Sequence, residues 1–206
     1  MDILRPQKIK RVKPSQVPKG GTPVEHVGYP DLGTRLIPKE RYTTAEFMET
    51  EWQKVWTKTW LLGGRECDIP EPGDFIATEI GRESVLLVRQ KDGGVRAFYN
   101  VCLHRGNQLA ETGIGSAEDG FRCGYHGWEY DHDGRIRKIP DLGTFKQGKP
   151  CDSLVELACD TWGSFIWFSL NPDAEPLKDY LGVIPEHLDA YHFERMIQTR
   201  DITVEW

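Results

Sequence analysis

Two pairs of Cys and His set the tightest constraint on this sequence. Cys102-Leu103-His104 offers a thiol and an imidazole two positions apart. Cys123-Gly124-Tyr125-His126 offers the same groups three positions apart, and eighteen residues separate His104 from Cys123. Thiolate and imidazole are metal donors, so if both pairs serve one centre, the chain between them must double back and bring two loops together. Zinc is one candidate for a Cys2His2 set, but structural zinc sites of that type open with two Cys and close with two His. Here each loop carries one of each. In an extended loop, side chains two positions apart share a side, so Cys102 and His104 can reach two different ions of one centre. A binuclear iron–sulfur cluster with two Cys on one iron and two His on the other uses all four donors.

The rest of the composition narrows the setting. Cys67, Cys151 and Cys159 have no His partner in sequence and read as buried or inert thiols. Five Cys is an odd number, and Met1–Pro6 has no apolar signal core, so a reducing cytoplasm is expected rather than a disulfide framework. No apolar run nears the roughly 18 residues of a membrane span. The net charge of −6 hides six bases in residues 1–20 (Arg5, Lys8, Lys10, Arg11, Lys13, Lys19) against one acid, Asp2. That arm has no aromatic residue and precedes an acidic body, so it reads as a solvated terminus and no nucleic-acid partner is expected. No phosphate-cradling Gly-rich loop, Ser–His–Asp set or nicotinamide fingerprint occurs.

Twenty-one Gly and 13 Pro among 206 residues favour a turn-rich, mainly β chain. Thr43-x-x-Glu46 predicts a helix start, and Phe47, Trp52, Val55, Trp56 and Trp60 predict a helix over about 44–58 with an aromatic face in the core. Short strands are expected at Phe75–Ile80, Glu83–Gln90, Val95–Tyr99, Glu129–Tyr130, Arg135–Ile139, Leu154–Leu157 and Ser164–Leu170. Hairpin turns are expected at Lys91–Gly94 and Asp133-Gly134. The fold class is therefore an antiparallel β-sandwich or barrel with one N-terminal helix. Short helical turns follow near Pro176–Tyr180 and Pro185–Tyr191, and a strand over Met196–Trp206.

Cys102-x-His104-x-Gly106 and Cys123-x-x-His126-Gly127-Trp128, with Phe98-Tyr99-Asn100-Val101 before the first and Glu129-Tyr130 after the second, resemble the cluster-binding loops of the Rieske iron–sulfur family. Within that family the chain is similar, over roughly residues 41–206, to the α subunit (large terminal oxygenase component) of aromatic-ring-hydroxylating oxygenases. The resemblance implies a [2Fe–2S] cluster held by Cys102, His104, Cys123 and His126. It implies three parts: an N-terminal arm and helix over 1–60, a Rieske domain over 61–170, and over 171–206 a linker and the first strand of a catalytic domain. The mononuclear Fe(II) of that domain is expected beyond Trp206. Electrons would come from a ferredoxin or flavin reductase, the full-length assembly would be a trimer, and the chain alone would hydroxylate no substrate. The alternative is a stand-alone Rieske-type ferredoxin, an electron carrier that needs no further chain.

Three details qualify the resemblance. Asn107 and Tyr125 stand where respiratory Rieske proteins carry a disulfide, and the absence of that bridge goes in the family with the low-potential type and with fewer hydrogen bonds to the cluster. Leu103 stands where the oxygenase loop commonly has Arg. His187 and His192 have the family's iron-ligand spacing but lie too early in the chain, and are expected to be surface residues. His26 and His132 are expected to be exposed.

Overall fold

The computed structural model describes residues 36–197 and 199. All but the first two belong to the second of two units, Pro38–Trp206. The basic arm, His26 and most of the strand expected over 196–206 lie outside the described residues; Met196 and Ile197 are irregular.

The expected single helix over 44–58 forms as three pieces: α1 (Glu40–Thr43), α2 (Ala45–Glu51) and a π turn over Trp52–Trp56. The cap falls one residue later than the sequence suggested: the Thr44 hydroxyl accepts from the Phe47 N–H at 3.3 Å. The expected aromatic core face is not formed. Trp52 is buried, but Val55 is 50% and Trp56 43% exposed. The cause is the wide turn. The Thr57 N–H reaches back five residues to the Trp52 carbonyl at 3.0 Å, and this i→i+5 pairing rotates Val55 and Trp56 off the Trp52 side. Trp52 packs beneath the Arg82 guanidinium, 5.1 Å from its ring centre, and Arg82 pairs with Glu49 at 3.0 Å.

Ten strands follow: β1 (Trp60–Arg65), β2 (Asp74–Ile80), β3 (Glu83–Arg89), β4 (Val95–Tyr99), β5 (Gly113–Ser116), β6 (Phe121–Arg122), β7 (Glu129–Tyr130), β8 (Ile136–Lys138), β9 (Glu156–Trp162) and β10 (Phe165–Ser169). Seven form one antiparallel sheet in the order β1-β10-β9-β4-β3-β2-β5; β6-β7-β8 form a second, smaller sheet. The large sheet curls, because Ile76 of β2 and Ile166 and Phe168 of β10 meet in one core. The mainly β, antiparallel class is as expected. β1 escaped notice because Gly63-Gly64 reads as a turn. In the fold these glycines permit close approach: a Cβ at Gly63 would lie 2.4 Å from Leu87, and one at Gly64 2.4 Å from Ile76. The expected helical turns appear as α3 (Leu177–Leu181) and α4 (Ile184–Leu188), with Leu177 and Leu181 packed on Trp60. Among the described residues no helix is long and apolar enough to cross a membrane.

The apolar run Val85-Leu86-Leu87-Val88 in β3 is fully buried. Alternate residues face opposite ways along a strand: Leu86 and Val88 enter the core beneath the Cys/His loops, while Val85 and Leu87 enter the core on the other face. The next residue, Arg89, is also buried. Its guanidinium donates to the carbonyls of Ile69 (2.8 Å), Gly93 (2.6 Å) and Glu66 (2.9 Å), with the Glu66 carboxylate 3.6 Å away.

Candidate metal centre

Both Cys/His loops are tight turns on one backbone frame. In the first, the Cys102 N–H donates to the Asn107 carbonyl (2.7 Å) and the Gly106 N–H to the Cys102 carbonyl (2.9 Å). In the second, the Cys123 N–H donates to the Trp128 carbonyl (2.8 Å) and the Gly127 N–H to the Cys123 carbonyl (3.0 Å). The closing glycines, Gly106 and Gly127, sit at φ +74° and +70°, a region that disfavours side chains with a Cβ. The expected extended loop, with Cys102 and His104 sharing a side by strand alternation, is therefore corrected. The turn, closed by the Gly106 hydrogen bond, sets their directions, and the same frame accommodates both spacings.

The four candidate donors meet as two pairs, thiol with thiol on one core and ring with ring. Cys102 and Cys123 are buried, free thiols on the core that contains Phe98, Trp128 and Tyr130. Burial pushes the Cys102 thiol up. At Cys123 burial opposes ionisation, but backbone N–H groups of Tyr125 and His126, Cys102 and Asn107 stabilise the thiolate and hold it below the usual thiol value. The His104 and His126 rings lie 4.4 Å apart. In each, Nδ1 is buried and has no hydrogen-bond partner among the described residues. A buried, unpartnered nitrogen costs free energy, and here there are two, on the same two loops as the thiols. Desolvation, with His126 and Arg105 beside it, pushes His104 below the usual imidazole range, toward the neutral form that binds metal. Trp128 stacks on His104 with planes 2° apart and centroids at 5.1 Å.

This donor set fits a binuclear centre better than a single ion. Among the described residues no three Cys, His, Asp or Glu side chains converge as ligands of one ion. The set is instead two like pairs, thiols inward and imidazoles outward.

A family profile described as the Rieske [2Fe-2S] domain matches residues 59–153, which contain both loops. The chain carries a Rieske [2Fe–2S] domain. The relatives of this Rieske domain are oxygenase components. Salicylate 5-hydroxylase, large oxygenase component, from Ralstonia sp is 32% identical over 98% of this chain and 47% of its own length. The large oxygenase component of the 2,4-dinitrotoluene dioxygenase system from Burkholderia sp. (strain RASC) is 36% identical over 72% of this chain and 34% of its own. Among solved structures, a naphthalene 1,2-dioxygenase superposes with a TM-score of 0.66 at 32% identity, over 72% of this chain and 34% of that one. A quaternary ammonium Rieske monooxygenase gives 0.70 at 28%, over 75% and 43%. The chain thus spans about a third to a half of the length of these relatives.

Tyr130 is the residue that the loop motifs alone leave without a role. It is fully buried in β7, directly after the second loop, and reaches across to the first. Its hydroxyl accepts from the Leu103 N–H at 3.1 Å and lies 3.2 Å from Cys102 Sγ, to which its own proton can point. Burial, then that contact, drives its phenol well above the usual range. Tyr130 thus supplies Cys102 with a side-chain donor from outside both loops. Leu103 packs against the core instead of projecting outward.

The remaining candidates separate from the site. His187 and His192 are both exposed. His132 was expected to be exposed but is half-buried, because its Nε2–H donates to the Ala117 carbonyl at 2.6 Å. Cys67 is exposed. Cys159 is held as a thiol, pushed up to about 12 by burial and by the carboxylates of Asp160 and Glu156.

Proposed function

We propose that these residues form the electron-transfer portion of a ring-hydroxylating oxygenase α subunit. Cys102 and Cys123 would hold the inner iron of the cluster, and His104 and His126 the outer one. The observation that carries this reading is the pairing of two buried thiols with two buried, unpartnered imidazole Nδ1 atoms. When bound, the cluster accepts and passes on single electrons. The protein's own contribution is to hold the donors and exclude water. The core beneath the loops shields the sulfur side, Trp128 fixes the plane of the His104 ring, and the half-buried imidazoles form the edge nearest solvent. A ferredoxin or flavin reductase would deliver the electron, and a mononuclear iron in a catalytic domain would receive it. In this reading hydroxylation belongs to that further domain, and these residues only supply the electron.

Iron and acid-labile sulfide analysis tests the reading, together with electron paramagnetic resonance of the dithionite-reduced protein. The expected result is two irons and two sulfides per chain and a rhombic signal of mixed nitrogen and sulfur ligation. Bound zinc without sulfide would sink the proposal, and product formation by the 206-residue chain alone would sink its division of labour. Tyr130→Phe should keep the cluster but lower its reduction potential, because a hydrogen bond to a thiolate favours the more negative, reduced state. An unchanged potential in a redox titration would remove Tyr130 from that role.

A further inference from the structure

We propose that Asn100 is the positioning residue of the first Cys/His loop, its side-chain amide replacing the strand ladder that holds the second loop shut. The inference rests on the function proposed above and adds the residue that keeps Cys102 and His104 in place.

The two loops share a frame but not a stem. Match Cys102 with Cys123 and Asn107 with Trp128. The second loop is then flanked by Phe121 and Arg122 before it and by Glu129 and Tyr130 after it, and these pair as the antiparallel ladder of β6 and β7. Their counterparts at the first loop are Asn100 and Val101 before it, and Gln108 and Leu109 after it. No strand pair forms there among the described residues. The chain leaves β4 through a tight turn, in which the Val101 N–H donates to the Tyr99 carbonyl at 2.8 Å. The Asn100 N–H donates to the Ser84 carbonyl of β3 at 2.8 Å. Neither N–H is left for the far side of the loop.

The side chain of Asn100 makes the connection instead. Its Oδ1 accepts from the N–H groups of Leu109 at 3.2 Å and Ala110 at 3.0 Å. Its Nδ2 donates to the Ala110 carbonyl at 2.8 Å and to the Ser84 hydroxyl at 3.1 Å. A side-chain amide has two donor protons and an oxygen that accepts twice, so its whole capacity is used. Asn100 is 2% exposed, so water does not compete for these bonds. The double contact with Ala110, one bond given and one received, is the exchange that a paired strand residue makes. Gln108 Nε2 donates to the same Ser84 hydroxyl at 3.2 Å.

Cys102 and His104 lie between the two points that the amide joins. The amide's own hydrogen bonds go to Ser84, Leu109 and Ala110 and to none of the four donors, so Asn100 acts through the loop. Opening the loop at its base means breaking three buried hydrogen bonds to Leu109 and Ala110. Without them, the bonds of Cys102 to Asn107 and of Gly106 to Cys102 would hold the loop alone. Groups that orient a metal-binding side chain from behind set how tightly the metal is kept.

The test is hydrogen exchange of the cluster-loaded chain, read residue by residue by mass spectrometry, together with iron release to EDTA. In the unaltered protein the Leu109 and Ala110 amides should exchange as slowly as those of the β6–β7 ladder. Asn100→Leu keeps the volume and removes all four side-chain bonds. It should speed exchange at residues 108–110 by at least about tenfold and leave residues 121–130 near their parental rates. Iron release should quicken by at least about tenfold, and the electron paramagnetic resonance of the reduced cluster should shift or broaden. A merely global loss of stability would speed exchange in both loops alike and leave the resonance parental; that result, or no acceleration at all, would overturn the role. If the variant fails to fold or to hold a cluster, the unaltered protein decides. Ladder-like protection of Leu109 and Ala110 supports the role, and exchange at open-loop rates overturns it. Failure of the unaltered chain to bind iron and sulfide would overturn the proposed function. Exchange indifferent to Asn100→Leu in a chain that does bind them overturns only the role of Asn100.

Discussion

Exchanging either buried cysteine, Cys102 or Cys123, for alanine should abolish cluster retention while the β framework still forms. The two thiols sit at equivalent places on the two loop frames, buried in the same core. Removing one would leave an iron with a single thiolate of the pair. The neighbouring core residues Phe98, Phe121, Trp128 and Tyr130 remain, so far-ultraviolet circular dichroism should stay close to that of the parent. Iron, labile sulfide and the visible charge-transfer bands should be lost together. His104→Cys tests the outer pair from the other side: it should keep a cluster whose resonance shifts toward all-thiolate ligation. Parental iron and sulfide content in Cys102→Ala would show that the cluster lies elsewhere.

The second large effect is expected at Arg89, far from any metal. Arg89→Met keeps much of the side-chain volume but leaves the carbonyls of Ile69 and Gly93 without this donor, and that of Glu66 with the Ile69 N–H alone, at 3.3 Å. Each buried acceptor left unpaired costs about 1–3 kcal/mol, and partial hydration of the Gly93 turn reduces the total. A loss of about 3–5 kcal/mol is expected. It should appear as a lower urea midpoint with an unchanged slope. Arg89→Lys should recover little, because an ammonium cannot reach three carbonyls spread over a planar fork. A midpoint shift worth less than about 0.5 kcal/mol, the range of ordinary surface changes, would show that the carbonyls are satisfied without Arg89.

What could be read from the sequence follows from how local each signal is. Lys91-Asp92-Gly93-Gly94 fixes its hairpin within four residues, and the structure pairs β3 with β4 around it. The two loops were legible because Cys, His and Gly at fixed offsets encode both the donors and the turn. The aromatic helix was misread because a π turn leaves no mark in the spacing of Trp52, Val55 and Trp56; the Thr57–Trp52 hydrogen bond becomes visible only in three dimensions. β1 was hidden by Gly63-Gly64, whose reason is contact with Leu87 and Ile76 from other strands. β5, Gly113-Ile114-Gly115-Ser116, reads as a loop and becomes a strand only by pairing with β2. Arg89 at the end of an apolar strand reads as a solvent-facing charge, since two of its three acceptors, Ile69 and Glu66, lie about twenty residues back in the chain. Tyr130 follows the second loop in the chain, and nothing in that position tells that its hydroxyl serves the first.

That last contact has a further consequence. Tyr130 leaves the second loop and grips the first at both Leu103 and Cys102, so the loops act as the joined arms of a chelator. Capture of an iron by one arm then raises the effective concentration of the other arm's donors instead of waiting on a second, independent search. Cutting the tie should slow the assembly of the centre more than it weakens the centre once assembled.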